Sequence, residues 1–310
     1  MLPLFTIIHP LVDACSVSVL VAGGMTWERV IAYNALAFAL QLPLGVLLDV
    51  WPRWGRGGFF LGTGMVWVAS VLAMLGWGGW GVLAMACVGN ALFHLTAGKH
   101  VLEAHGGRAG PIGLFISTGA LGLTAGQVWA AQAAGVCLLV FAGVLGACVV
   151  AVAALATGKM PVAPVCNGQD ARCPSPATGK MPVTPVGILV GLFVLIAWRS
   201  WAGLFASGRS AGDTILMIAT GAMVTFAGKV AGGYLAERVG CWMVTAVSVA
   251  GSVSLAFFCE PSWVAAWLVL LFVAQLATGP VLSLVYDRSG CRGGTAFGLN
   301  CLGLFTGSLA

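Results

Sequence analysis

The sequence is poor in charge. Its 310 residues include 14 Lys and Arg and nine Asp and Glu, so charged residues make up 7% of the chain against 60% hydrophobic. A soluble domain carries about 25% charged residues. So few ionised side chains cannot keep the surface of a water-soluble protein of this size wet, which excludes one. The same scarcity excludes a disordered chain and a basic nucleic-acid-binding domain. Segments of about ten residues with strict polar–apolar alternation, the mark of a membrane β-barrel, are absent. No Cys/His spacing fits a zinc site, and no phosphate loop, nucleophile elbow or HExxH is present. An enzyme, a bound metal and a cofactor are therefore not expected. An ATP-driven pump needs a soluble nucleotide domain, and the apolar runs leave no room for one. The first apolar run lacks a positive leading segment and contains His9 and Asp13, so it does not read as a signal peptide.

What the chain has is long apolar runs laced with glycine, 45 in all and without a collagen period. Glycine lets membrane helices approach closely. Together these predict an all-α polytopic membrane protein. At roughly 20 apolar residues per crossing, the predicted spans are 4–22, 30–50, 58–76, 80–98, 111–129 and 134–156, then 187–206, 214–235, 241–259, 263–285 and a short piece at 294–310. About 11 helices are present, and the second set is expected to be incomplete. Between the sets lies a proline-rich segment, 157–186, in which Thr157-Gly158-Lys159-Met160-Pro161-Val162 recurs as Thr178-Gly179-Lys180-Met181-Pro182-Val183. A direct repeat in a stretch that does not pack reads as a linker. The expected organisation is thus an N-terminal six-helix half at 1–156, the linker, and a C-terminal half at 187–310.

Lys and Arg alternate across these spans. Arg53, Arg56, Lys99, Arg108, Lys159, Arg172, Lys180, Arg238, Arg288 and Arg292 fall in the even loops, with Lys229 placed on the same side. The odd loops hold Arg29 and Arg209. The positive-inside rule then predicts a cytoplasmic N-terminus and even loops in the cytoplasm, as in a bacterial inner or plasma membrane. Trp27, Trp77, Trp80, Trp129 and Trp263 fall near the outer boundary, and Trp51, Trp54 and Trp242 near the inner one, as an aromatic belt requires.

A signature occurs twice at the inner side. Gly45 precedes Asp49 by four residues, followed by Arg53, Gly55 and Arg56. Gly233 precedes Glu237 by four, followed by Arg238 and Gly240. Glycine permits tight helix packing. The carboxylate can accept from a basic loop residue or from a facing helix N-terminus, so Gly45, Asp49, Arg53, Arg56, Gly233, Glu237 and Arg238 are predicted to form an inner gate between the halves.

Ionisable groups inside spans are functional candidates. His9 and Asp13 lie four apart on one face of the first helix, with Asp13 roughly 14 Å in at about 1.5 Å per residue. One reading is a proton-carrying carboxylate coupled to a histidine. The other is a packing contact. Arg199 lies about 18 Å into the seventh span. It binds an anionic substrate, pairs with Asp13, or snorkels outward. Asn34 and Gln41 share a face of the second span, Asn90 and His94 pair in the fourth, and Gln127 and Gln275 sit in the fifth and tenth. These amides line a cavity or bond between helices. Gly119, Gly122 and Gly126 form a small-residue face in the fifth span.

The doubled signature resembles that of the major facilitator superfamily, roughly Gly-x-Leu-x-Asp-Arg-x-Gly-Arg-Arg. Val50 stands where that pattern has a basic residue, and Trp51 and Pro52 interrupt it. Gly89, Asn90, His94, Gly98, Lys99 and His100, with His9, Pro10 and Asp13, look most similar to the fosmidomycin-resistance-like efflux branch. The resemblance implies two six-helix halves with a small-molecule site between them near mid-membrane, and alternating access by rocking. The expected function is proton-coupled export of a small organic compound, by a monomer whose partners are the lipid bilayer, the solute and protons. A degenerate, non-transporting protein of the same fold is the alternative.

Overall fold

In the computed structural model the described residues are 2–156, 186–207, 215–258 and 264–309. Among them there are helices and turns and no strand. The helices are α1 (Leu2–Ala22), α2 (Trp27–Val50), α3 (Trp54–Met74), α4 (Trp80–Ala104), α5 (Ala109–Ala133), α6 (Leu138–Val150), α7 (Val186–Ser207), α8 (Ile215–Val239), α9 (Cys241–Phe258), α10 (Val264–Arg288) and α11 (Gly293–Gly307). Each predicted span coincides with one of them. The 157–186 repeat segment lies outside the described residues apart from its last position, as do Arg209 and Trp263. Eight of the helices are long and apolar enough to cross a membrane, and α6 and α7 contribute shorter apolar stretches. This is the all-α membrane bundle the composition requires.

Burial separates the helices into two kinds. The most apolar windows of α1, α4 and α10 are 67%, 72% and 72% buried, against 22%, 17% and 22% for α2, α8 and α9. The first group forms the interior and carries most of the intramembrane polar residues. The second presents apolar side chains such as Leu216, Met223 and Val247 outward, as lipid-facing helices do. Trp27, Trp77, Trp80 and Trp129 are exposed towards one end, and Trp51, Trp54 and Trp242 towards the other.

Prolines interrupt α10 and α2 at identifiable places. Pro280 has no N–H to donate, and α10 is interrupted at Leu276 and Ala277, between Val264–Gln275 and Thr278–Arg288. Ser248 of α9 donates to the Val273 carbonyl there at 2.6 Å, satisfying backbone at the kink. In α2 a π-turn at Ala35–Ala39 precedes Pro43, with Leu40 N–H reaching back five residues to Ala35 O at 3.1 Å. That wider turn rotates Gln41 away from the face of Asn34. Gln41 is fully buried and donates to Ala37 O at 2.6 Å, while Asn34 stays half-buried. The two do not act as one face, because the extra residue of the π-turn breaks the 3.6-residue phase on which the expectation rested. The junction of α5 and α6 also differs from expectation. The helix continues through it with one non-helical residue, Ala133, in place of a loop.

Candidate functional site

Among the described residues, two polar assemblies lie inside the bundle, and a third joins helix ends at one side of it. The first joins α1, α4 and α5. Gly119, Gly122 and Gly126 of α5 lie against His9 with Asp13, against Pro10 and against Ala14 of α1, so a side chain at any of them would collide with α1. The small-residue face is thus a packing seam, and it brings α5 directly over His9 and Asp13. Both are buried, as are Asn90 and His94 of α4. The Asp13 carboxylate lies 3.2 Å from His9 Nε2 and 3.3 Å from His94 Nε2, and accepts from Asn90 Nδ2 at 3.0 Å. Asn90 Nδ2 also donates to Ser16 Oγ at 3.2 Å.

Hydrogen-bond accounting fixes the protonation of the two imidazoles. His9 Nδ1 is 2.7 Å from Phe115 O, and His94 Nδ1 is 2.9 Å from Asn90 O. A carbonyl only accepts, so each Nδ1 carries a proton and donates it. The remaining nitrogens, His9 Nε2 and His94 Nε2, face one another at 2.6 Å. With no proton between them, two lone pairs and a carboxylate would meet in a dry pocket. One proton therefore belongs in the Nε2–Nε2 bond, and Asp13 supplies its counter-charge.

The ligand-capable atoms of His9, Asp13 and His94 lie within 4.8 Å of one another. Zinc–nitrogen bonds of about 2.0–2.1 Å at tetrahedral angles would set two ring nitrogens roughly 3.3 Å apart. The spacing observed between the imidazoles is shorter, and fits a shared proton better than a metal.

The second assembly lies at the kink of α10. Arg199 of α7 is 6% exposed. Its Nη1 donates to Thr278 Oγ1 and, at 3.5 Å, towards Gln275 Oε1. Thr278 Oγ1 donates to Gln275 Oε1 at 3.1 Å. Arg199 makes no ion pair with Asp13, whose partners are the two histidines and Asn90. Lys229, expected near the inner part of its helix, lies within α8, half-buried, with its ammonium 3.4 Å from Ile116 O of α5. Gln127 is exposed and belongs to neither assembly.

The third assembly joins the helix ends that carry most of the bases. Asp49, at the end of α2, accepts from Gly294 N–H at 2.9 Å, Thr295 N–H at 2.7 Å and Thr295 Oγ1 at 2.8 Å, so it caps the N-terminus of α11. Lys99 Nζ bridges Asp49 and Glu103 at 2.5 Å each. Glu237, at the end of α8, accepts from Gly110 N–H at 3.0 Å and from Arg108 at 2.5 Å, so it caps the N-terminus of α5. The two acids of the doubled signature thus do the same thing, each capping the second residue of a distant helix. Their glycines match as well. Gly45 touches the backbone of Gly294, and Gly233 that of Ala109. Ser283 of α10 adds a bond to Gly107 O at 2.5 Å.

The cations that meet the acids are Lys99 and Arg108. Arg53, Arg56 and Arg238 are exposed. The Glu237 carboxylate raises the guanidinium of Arg108 above its usual value, while partial burial and Arg108 lower the imidazole of His105. Because Arg108 is 57% exposed, Arg108→Ala is expected to cost no more than about 1 kcal/mol in a thermal melt. Glu237→Ala, which also uncaps α5, should cost more.

No protein-family profile matches the chain, and no curated protein does. Solved structures do match it. A substituted form of the E. coli fucose:proton symporter FucP superposes with a TM-score of 0.63 at 13% identity, over 99% of this chain and 88% of that one. FucP in its outward conformation, a major facilitator superfamily transporter, gives 0.64 at 14%, over 98% and 89%. The chain has the major facilitator fold. A bacterial homologue of the iron transporter ferroportin, in its outward-facing state, shares that fold with a TM-score of 0.53 at 15% identity, over 99% and 89%. Within the major facilitator fold the interior of α1, α4, α7 and α10 is where the first two assemblies sit. The third joins helix ends at one side of it.

Proposed function

We propose that the chain is a secondary transporter that exports a small organic compound, coupled to protons, by alternating access. The observation that carries this reading is the buried imidazole pair of His9 and His94. Its nitrogens stand at a proton-sharing distance, with Asp13 as counter-charge. A group that must gain or lose one charged particle inside a dry bundle can drive the exchange between two states. The shared proton moves weight from Asp13 as carrier to the histidine pair, with Asp13 holding the charge.

With both caps formed, the end bearing Asp49 and Glu237 is closed. On the orientation expected from the Lys/Arg bias, that end is cytoplasmic, and the state opens outward. That Asp49 makes its full set of bonds despite Val50, Trp51 and Pro52 argues against a degenerate, non-transporting chain. The proton coupling of the fucose:proton symporter FucP supports proton coupling here, and the export direction follows the efflux-branch resemblance.

The test is solute movement in proteoliposomes under an imposed pH gradient, with compounds chosen by a resistance screen in an efflux-deficient host. Movement should track the gradient and stop when nigericin collapses it. Movement indifferent to the gradient removes the proton, and no movement of any screened compound favours the non-transporting alternative.

A further inference from the structure

We propose that the transported solute is an organic oxyanion, held between Arg199 and Lys229 at the kink of α10; this rests on the transport reading above and names its substrate class. Charge accounting carries the proposal. Asp13 is committed to His9, His94 and Asn90. Among the described residues, neither Arg199 nor Lys229 makes an ion pair with a carboxylate. The Arg199 guanidinium thus sits inside the bundle with neutral partners and no anion, Lys229 near it, and a buried charge left so is costly. A neutral or cationic solute would leave that cost in place, whereas an anion removes it.

The donors that remain also point to an oxyanion. Nη1 of Arg199 is engaged by the neutral acceptors Thr278 and Gln275, but its Nε is buried with no partner. The Nε edge of a guanidinium is one of the faces that receive a carboxylate or phosphonate in two parallel bonds. Lys229 has three donors and one long contact, to Ile116 O. The helices that carry the two bases both pack on α10 at its kink. Gln275, Arg199's partner, lies against Gly228, where an added Cβ would be 3.0 Å from Gln275 Cβ, and Gly232 lies against Leu276 at the kink. Lys229 is within electrostatic reach of both Arg199 and Asp13, although it makes no ion pair with Asp13. The half-helix Thr278–Arg288 starts there with no side-chain cap, so its positive end adds to the field.

The experiment is equilibrium binding to the full chain in nanodiscs of phosphatidylcholine alone, which excludes an anionic lipid headgroup as the occupant. The probes are benzoate, phenylphosphonate, benzamide and benzylamine at millimolar concentration, read by thermal stabilisation. Both anions should stabilise the protein, and benzamide and benzylamine should not. Arg199→Gln should weaken anion binding by about tenfold or more, Lys229→Met in the same direction, and Arg199→Lys should retain part of it. The proposal is overturned if neither anion binds, if benzamide or benzylamine binds as well as benzoate, or if Arg199→Gln and Lys229→Met both keep the original affinity. No pH gradient is present in this measurement, so loss of proton coupling in proteoliposomes and loss of anion binding here are separate results.

Discussion

Asp13→Asn should abolish transport driven by a pH gradient while leaving the fold and solute exchange intact. The substitution removes charge and little else. An asparagine at this position still offers an oxygen to Asn90 Nδ2, which now donates to Asp13 at 3.0 Å, so the seam between α1 and α4 is kept. The imidazoles stay pinned, because Phe115 O and Asn90 O still take their Nδ1 protons. What is lost is the negative charge beside the shared proton. Breaking a buried charge pair costs about 3–5 kcal/mol. At about 1.36 kcal/mol per tenfold, that lowers proton occupancy by roughly 100-fold or more.

The measurement separates two rates in the same proteoliposomes. Gradient-driven uptake or efflux should fall to background. Equilibrium exchange of labelled for unlabelled solute, which needs no net proton movement, should persist. An unaltered pH dependence in Asp13→Asn would remove the proton site from the mechanism. Loss of exchange together with a lowered melting temperature would assign Asp13 to packing, the alternative its sequence position left open.

The spans were legible because a membrane leaves the backbone one simple solution. A helix satisfies its own N–H and C=O groups, so length and apolarity suffice to place it. The doubled glycine–acid signature was legible for a similar reason. A carboxylate four residues beyond a glycine, at a helix end, is suited to meet another helix N-terminus at close range, and both copies do.

What the spacing did not reveal was partners distant in the chain. His94 joins His9 across 85 residues, and nothing local says that α4 rather than another helix faces α1. Lys99 and Arg108 meet the acids from elsewhere in the chain, contacts that the local spacing around each acid does not show. Asn34 and Gln41 separated because Pro43 and the π-turn changed the helical phase, and a heptad count has no term for that. The depth of Lys229 in its helix was legible, but its contact with Ile116 O of α5 was not, because it depends on how α5 packs against α8. The signal available for Lys229 was its placement among Gly228, Gly232 and Gly233, glycines that seat α8 tightly against its neighbours.

Gly45→Val and Asp49→Asn should both open the closed end at α11, and leave its pseudo-symmetric counterpart at α5 closed. A Cβ built on Gly45 falls onto the carbonyl of Gly294. Both partners at that contact are backbone, so neither can turn aside as a flexible side chain would. Valine must push α2 and α11 apart, and the bonds from Gly294 and Thr295 to Asp49 stretch with them. Asp49→Asn keeps the backbone contact but halves the acceptors and removes the charge that Lys99 and the α11 terminus share. Hydrogen bonds to charged groups contribute about 1.5–3 kcal/mol each, so losing two of them corresponds to roughly 100-fold or more in the population with this end open. Amide exchange reports that population directly, since the Gly294 and Thr295 N–H groups are the donors that become free. Exchange over 293–297 should accelerate by about two orders of magnitude in both variants, with 109–113 unchanged. Gly233→Val and Glu237→Gln should produce the mirror pattern. Acceleration of both segments together in either pair would mean that the two caps open as one unit, and acceleration of neither would mean that the acids do not hold this end closed.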